Sequence, residues 1–195
     1  LDQQTSGLMM VAKTQAAQMA IKAQLEVHSV TRQYFALASG TPRHTKWTIN
    51  NYLIRNRGDG LRGAAKGTPP ADARNAITHF ECLQKVGKRN TLVRATLQTG
   101  RTHQVRIHLS ECRNAILGDD LYAPFPIARA AARLALHAYE LGLEHPRTGK
   151  RLHFQIPLAD DMEQLRRHYI FEASKPPEEV QRSPKKKKAR KKKRR

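Results

Sequence analysis

Acidic residues are scarce: 16 Asp and Glu stand against 36 Lys and Arg in 195 residues, a formal charge of +20. That deficit argues against a cationic partner and points to a polyanion, nucleic acid first and an anionic membrane surface second. Arg182 to Arg195 holds eleven of the basic residues and no acid, yet the other 181 residues still carry 25 bases against 16 acids, a net +9. Cysteine is also nearly absent. Cys82 and Cys112 are far apart and in no paired motif, which excludes a disulfide framework and reads as reduced thiols in an intracellular, cytoplasmic protein. No apolar run approaches membrane-spanning length and no secretory pattern opens the chain, so neither a spanning helix nor a signal peptide is expected. No internal repeat is visible. The chain starts at Leu1 rather than at a methionine, directly inside a motif, and reads as a trimmed piece of a longer protein. Nine histidines suggest a metal, but His103 and His108 stand five apart, about 140° around a helix rather than one above the other. No metal site is expected.

What is present is a chain of alternating patterns. Leu8 to Ala12 reads as a short buried strand, followed by a helix to about Val27 with Ala16, Ala20, Ala23 and Val27 on its inner side. Val30 to Ala38 and Trp47 to Ile54 read as strands, and the Gly-, Pro- and Arg-rich stretch from Asn56 to Ala73 as a loop. Ile77 to Val86 and Thr91 to Gln98 flank Gly87-Lys88-Arg89-Asn90, a hairpin signal, and Leu134 to Leu143 and Leu152 to Ile156 flank a second. Ala159 to Tyr169 has acids early and bases late, as a helix dipole favours. The order predicts an α+β domain over residues 1–172, built on a largely antiparallel mixed central sheet flanked by helices and loops. From residue 173 onward the composition is Lys, Arg, Pro and Glu, a disordered polybasic tail.

The densest stretch is Gly100 to Leu109, GRTHQVRIHL, followed by AILGDDLY from Ala115 to Tyr122. Thr102 is the expected N-cap of a helix whose buried stripe is Val105, Leu109 and Cys112. Arg106 sits at the edge of that stripe, free to reach a polar pocket. Ile107 lies off it, which implies cover on more than one side. Asp2 in LDQQTSGL and Tyr34 in TRQYFAL complete the residues that could carry chemistry. Taken singly, each has a plainer reading: a turn aspartate, a core tyrosine, a surface arginine.

Together they resemble the RluA-type pseudouridine synthases. LDQQTSGL is similar to the end of that family's HRLDxxTSGL, TRQYFAL to its KxYxAL and GRTHQVRIHL to its GRTHQIRVHL. AILGDDLY and LALHAYELGLEHP resemble its ILGDxLY and LLHAxxLxxxHP, all in the family's order. The resemblance implies Asp2 as nucleophile, Tyr34 against the target uracil and in proton transfer, and Arg106 as the partner of Asp2. It further places Leu141 in the pocket wall, with Arg101, His103 and Gln104 at the substrate. The implied reaction breaks the N1–C1′ bond of a flipped-out uridine and rejoins the base through C5, with no cofactor and no metal. The implied partner is structured RNA, ribosomal RNA first and transfer RNA second, acted on by a monomer. The chain departs from the family in lacking the His-Arg before Leu1 and the strands preceding it. It also has Arg32 for the family's lysine, and Arg113-Asn114-Ala115 where the family has Gly-His-Pro. A synthase-like module that binds RNA or assists ribosome assembly without chemistry is the alternative. A basic structural protein of a ribosome-like particle accounts for the charge but not for the five motifs.

Overall fold

A computed structural model of the chain describes residues 1–175. In chain order they form β1 (Ser6–Gly7), α1 (Gln15–Glu26), β2 (Thr31–Ser39), β3 (Lys46–Ile54), β4 (Gly63–Ala64), β5 (Arg74–Val86) and β6 (Asn90–Leu97). These are followed by α2 (Gln104–Glu111), α3 (Phe125–Ala128), β7 (Leu136–Glu144), β8 (Arg151–Gln155) and α4 (Asp160–Ser174). All eight strands belong to one sheet in the order β1-β7-β2-β6-β5-β3-β4, with β8 also paired to β7. Every pairing is antiparallel except that of β1 with β7. The α+β architecture and both expected hairpins are therefore present. Of the expected tail, residues 173 and 174 close α4 and 176–195 lie outside the described residues. Among the described residues no helix is long and apolar enough to cross a membrane.

Register decides which side chains meet. Tyr34 lies opposite both Ala95 and Ala138, and Leu97 lies opposite Thr78, so these residues share one face of the sheet. Helix α2 crosses that face, and its Val105 and Leu109 join Ala36, Val93, Ala95 and Ile116 in the main core. On the other face Leu37 stands opposite Leu92, which stands opposite Gln84. There α4 packs Met162 into the core and Arg166 donates to Gln84 Oε1 at 2.6 Å. Ile107 is buried apart from the main core with Leu53, Ala76 and Tyr122, as its off-stripe position implies.

Several local expectations give way. Leu8–Ala12 is not a strand: only Ser6 and Gly7 pair with β7, and Met9 and Val11 are 66% and 72% exposed. The remainder of that β7 edge, Glu140 to Glu144, is taken by β8, so the chain finds no ladder to continue. Helix α1 turns Ala17, Ala20, Ile21 and Leu25 inward and leaves Ala16, Ala23 and Val27 exposed. Its rotation is set by a polar residue, since Gln24 donates to Glu144 O at 2.9 Å and accepts from Glu144 N at 2.8 Å. Residues Asn56 to Ala73 are not all loop, because β4 lies among them. Cys112 caps α2 and is exposed rather than part of the buried stripe.

Thr102 does not cap α2. His103 takes that position at φ 58°, with no side-chain capping bond. The reason is Gln104, whose Oε1 accepts from Arg101 N and from Thr99 Oγ1, both at 2.9 Å, while its Nε2 donates to Ile77 O at 3.0 Å and Thr78 Oγ1 at 2.8 Å. Thr78 in turn contacts His108 Nδ1 at 2.9 Å, and His108 Nε2 lies 3.0 Å from Asn51 Oδ1. Asn51 offers that oxygen only as an acceptor, so Nε2 carries the proton and Nδ1 accepts from the Thr78 hydroxyl. A buried chain of hydrogen bonds thus fastens α2 to β5 and β3.

Burial holds the His108 imidazole down to about 4 from an ordinary 6.5. The unfolded chain therefore binds this proton first as pH falls, so the stability contributed is complete above about pH 6.5 and is lost as pH falls towards 4. Denaturant unfolding across pH 7.5 to 4 should lose about 2–3 kcal/mol from this residue. His108→Gln should be less stable at neutral pH and show a correspondingly shallower acid decline. An equal decline in both proteins would place the acid sensitivity elsewhere.

Candidate active site

Asp2 is placed by the short parallel pairing of β1 with β7. Gly7 makes that approach feasible: its φ is +112°, and a Cβ there would lie 2.2 Å from Ala138 O. Around it, Arg133 donates to Ser6 Oγ at 2.9 Å and to Gln4 O at 3.3 Å, and Leu134 N donates to Gln4 Oε1 at 3.2 Å. His137 Nε2 lies 2.9 Å from Pro157 O, a carbonyl that can only accept, so Nδ1 is free to accept from Ser6 Oγ at 2.9 Å. The Thr-Ser-Gly run after Asp2 and the Leu-His-Ala run in β7 are two sides of one junction.

Arg106 is 5% exposed. Its Nε and Nη2 donate to Asp119 Oδ2 and Oδ1 at 3.0 and 2.7 Å, a two-pronged pair, and Nη2 also reaches Asp120 Oδ1 at 3.3 Å. The third nitrogen, Nη1, stands 3.8 Å from Asp2 Oδ2. Asp119 is fully buried and accepts further bonds from Leu121 N and Tyr122 N at 3.1 and 3.0 Å. The turn that presents it needs Gly118, at φ +76°, where a Cβ would lie 2.0 Å from Arg133 O. The expected partner of Arg106 is thus present, but a closer one, Asp119, is the residue sequence reasoning missed. Its signal lies in the sequence: a buried guanidinium with five donors requires more than one carboxylate at 3.8 Å, and AILGDDLY offers two.

Of these groups Asp2 lines a cavity of about 320 Å³, together with Arg32, Tyr34, Leu97, His103 and Leu136. Burial pushes the Tyr34 phenol above its ordinary value, with Arg32 opposing and Asp2 adding to the shift, so it is a neutral donor at physiological pH. Arg32 gives one bond, Nη2 to Gln98 O at 3.1 Å, and its buried Nε has no partner among the described residues. His103 also lines the cavity, with Nδ1 2.8 Å from Tyr122 Oη, and burial holds its imidazole below the usual value. Arg101 stands exposed at the rim, its Nε donating to Asn75 O at 2.9 Å.

The other two expected substrate contacts are Gln104 and Leu141. Gln104 touches the cavity, but both ends of its amide are engaged in holding α2. Leu141 stands opposite Arg32, on the sheet face that carries Tyr34, and Leu136 is the β7 residue in the cavity lining. The ladder passes from Ala138 to Glu140 between neighbouring residues of β2, and the extra Tyr139 sets Leu141 opposite Arg32 rather than Thr31, on the face that carries Tyr34. The turn expected to change without Gly-His-Pro is made by Arg113 at φ 61°, with Asn114 Nδ2 donating to Ser39 O at 2.9 Å. A larger groove, about 870 Å³, lies between Met10–Thr14 and α1 and contains none of the residues above.

The two adjacent aspartates differ sharply in environment: the Asp119 side chain is 1% exposed and that of Asp120 62%. Asp119→Asn should cost about 3–5 kcal/mol, because it leaves a buried guanidinium without its full counter-charge. Asp120→Asn should stay within about 0.5 kcal/mol of the parent. Urea unfolding of the two variants side by side checks this, and equal losses would refute the separate role of Asp119.

Residues 1–111 match the family described as RNA pseudouridylate synthase. The chain is 39% identical over 165 residues to the uncharacterized RNA pseudouridine synthase YlyB of Bacillus subtilis, covering 85% of this chain and 52% of that protein. It is 33% identical over 175 residues to the ribosomal large subunit pseudouridine synthase D of Zymomonas mobilis, covering 85% and 53%. The chain therefore spans about half the length of these relatives. In fold it is similar to human RNA pseudouridylate synthase domain containing 1, with a TM-score of 0.69, 24% identity, and 87% of this chain and 77% of that one covered. The match to domain containing 4 has a TM-score of 0.70 at 20% identity, covering 88% and 74%. With the matched region spanning β1 to α2, and with Asp2, Tyr34 and Arg106 all inside it, the chain belongs to the RNA pseudouridylate synthase family.

Proposed function

We propose that this chain carries the catalytic pocket of an enzyme that converts uridine to pseudouridine in structured RNA, with ribosomal RNA as the substrate class. The observation that carries this reading is one juxtaposition: Asp2 and Arg106, 104 positions apart in sequence, lie 3.8 Å apart beside the cavity that Tyr34 lines. The ribosomal substrate is drawn from the name of the Zymomonas relative and from the basic body of the chain.

The reaction asks for little beyond these groups. The Asp2 carboxylate attacks C1′ and the uracil leaves with the electron pair of the N1–C1′ bond. The free base turns against the ring of Tyr34, and C5 then attacks C1′ and expels the carboxylate. The C5 proton is lost to a base and N1 gains one, so the product is an isomer of the substrate. Because C1′ and C5 are out of reach in a base stack, the nucleotide enters flipped out, at a cost of about a few kcal/mol. Phosphate contacts to the basic surface offset that cost. Asp2 is suited to attack because it lies beyond hydrogen-bond distance of Arg106, whose short bonds go to Asp119.

In the complete protein, Asp2→Asn should abolish pseudouridine formation, by at least about 10³-fold in rate, while RNA affinity stays within a few-fold. Mass-spectrometric or chemical mapping of pseudouridine in ribosomal RNA, with a parallel binding assay, reads both. Isomerisation at the parental rate would remove Asp2 from the mechanism. RNA binding by a parent protein that never forms pseudouridine would favour the non-catalytic module.

A further inference from the structure

A second cleft, of about 290 Å³, adjoins the catalytic cavity, and Gly100, Arg101 and Thr102 line both. Its floor is Leu53 and Ile54, and its walls carry Arg55, Arg62, Arg74 and Arg101 against a single acid, Asp72. Topology assembles this cluster from four places. Arg55 follows the last residue of β3, Arg62 precedes β4, Arg74 opens β5 opposite Leu53, and Arg101 stands in the corner before α2.

Convergence sets these charges apart, four guanidinium groups lining one cleft. Six arginines elsewhere are matched to acids: Arg57 to Asp59, Arg94 to Glu81, Arg106 to Asp119, Arg133 to Asp161, and Arg166 and Arg167 to Glu163, while others, such as Arg43, Arg89 and Arg147, stand singly without an ion pair among the described residues. Among the described residues, none of the four cleft arginines has a carboxylate oxygen within 4.0 Å, Asp72 included. Arg101 Nε is engaged with Asn75 O, and among the described residues that is the only side-chain bond made by any of them. Four like charges over an apolar floor repel one another and concentrate positive potential where water is partly excluded. Planar guanidinium groups fit phosphate oxygens two at a time.

We infer that this cleft binds the phosphodiester backbone of the substrate RNA immediately beside the nucleotide that enters the catalytic cavity. The inference rests on the proposed RNA reading of that cavity. A flipped-out nucleotide puts its base inside but leaves its phosphates on the strand. The strand must therefore continue from the cavity mouth across a surface that accepts anions, and the Gly100–Thr102 corner joins the mouth to this cleft. Such contacts fix register and orientation rather than read sequence.

The test uses the full chain and a uridine-containing RNA hairpin, with affinity measured by filter binding between about 50 and 200 mM salt. The double variant Arg55→Gln/Arg74→Gln should flatten the slope of log affinity against log salt by about 0.7–0.9 for each phosphate no longer neutralised, about 1.5 for two. Lys88→Gln/Arg89→Gln, on the β5–β6 turn, removes the same charge away from the cleft and should leave the slope as in the parent. An unchanged slope in the first variant, or an equal drop in both, overturns the cleft. Pseudouridine formation measured in parallel separates this from the function above. A slope that falls in the first variant alone, in a chain making no pseudouridine, keeps the cleft and removes the isomerase. A parent that makes pseudouridine, with the slope unchanged in the first variant, removes only the cleft.

Discussion

Much of this structure depends on where one guanidinium can be buried. Arg106 sits under the sheet face with almost no solvent, a placement whose desolvation costs several kcal/mol unless its donors are matched. Asp119 supplies that match and is itself tied to the backbone of the next turn. Three distant stretches are thereby brought to a common point: helix α2, the turn after Gly118 and the segment before β1. Because Asp119 takes the short bonds, Asp2 at 3.8 Å feels the positive charge without being captured by it. A carboxylate held in a two-pronged pair is stabilised but occupied; one held just outside is charged and available.

The same economy runs through GRTHQVRIHL. Of its polar side chains, Gln104 and His108 belong to the buried chain of hydrogen bonds that sets α2 on β5. His103 adopts a left-handed backbone to open the helix and turns its ring to Tyr122. Only Arg101 and Arg106 keep charge for use beyond the fold. A motif this rich in polar residues is therefore mostly a device for placing one arginine, and the expected acid sensitivity of His108 follows from that placement.

Sheet strands were legible because apolar alternation is a local property: Val93, Ala95 and Leu97 declare their face without knowledge of their partners. What failed was whatever depended on a distant partner. Leu8–Ala12 has strand composition but lacks a free edge, since β8 occupies the rest of β7. Helix α1 has alanines on several sides, and the choice among them fell to Gln24 and its bonds to Glu144. At the site, Asp2, Tyr34 and Arg106 were named by resemblance and are adjacent in space. Asp119 went unnamed because a resemblance transfers assigned roles, whereas its role follows from counting donors on a buried arginine.

Net charge was legible only as a total, and the fold turns it into a pattern. Most of the acids within ion-pair distance of an arginine sit on the far face, on α4 or at the catalytic centre, and they cancel charge where it would otherwise be costly. Four of the arginines without an acid partner among the described residues converge beside the Gly100–Thr102 corner. On the proposed RNA reading, their collection in a cleft that shares the Gly100–Thr102 corner with the cavity ties attraction to orientation, since a strand drawn in by charge would arrive aligned with the pocket.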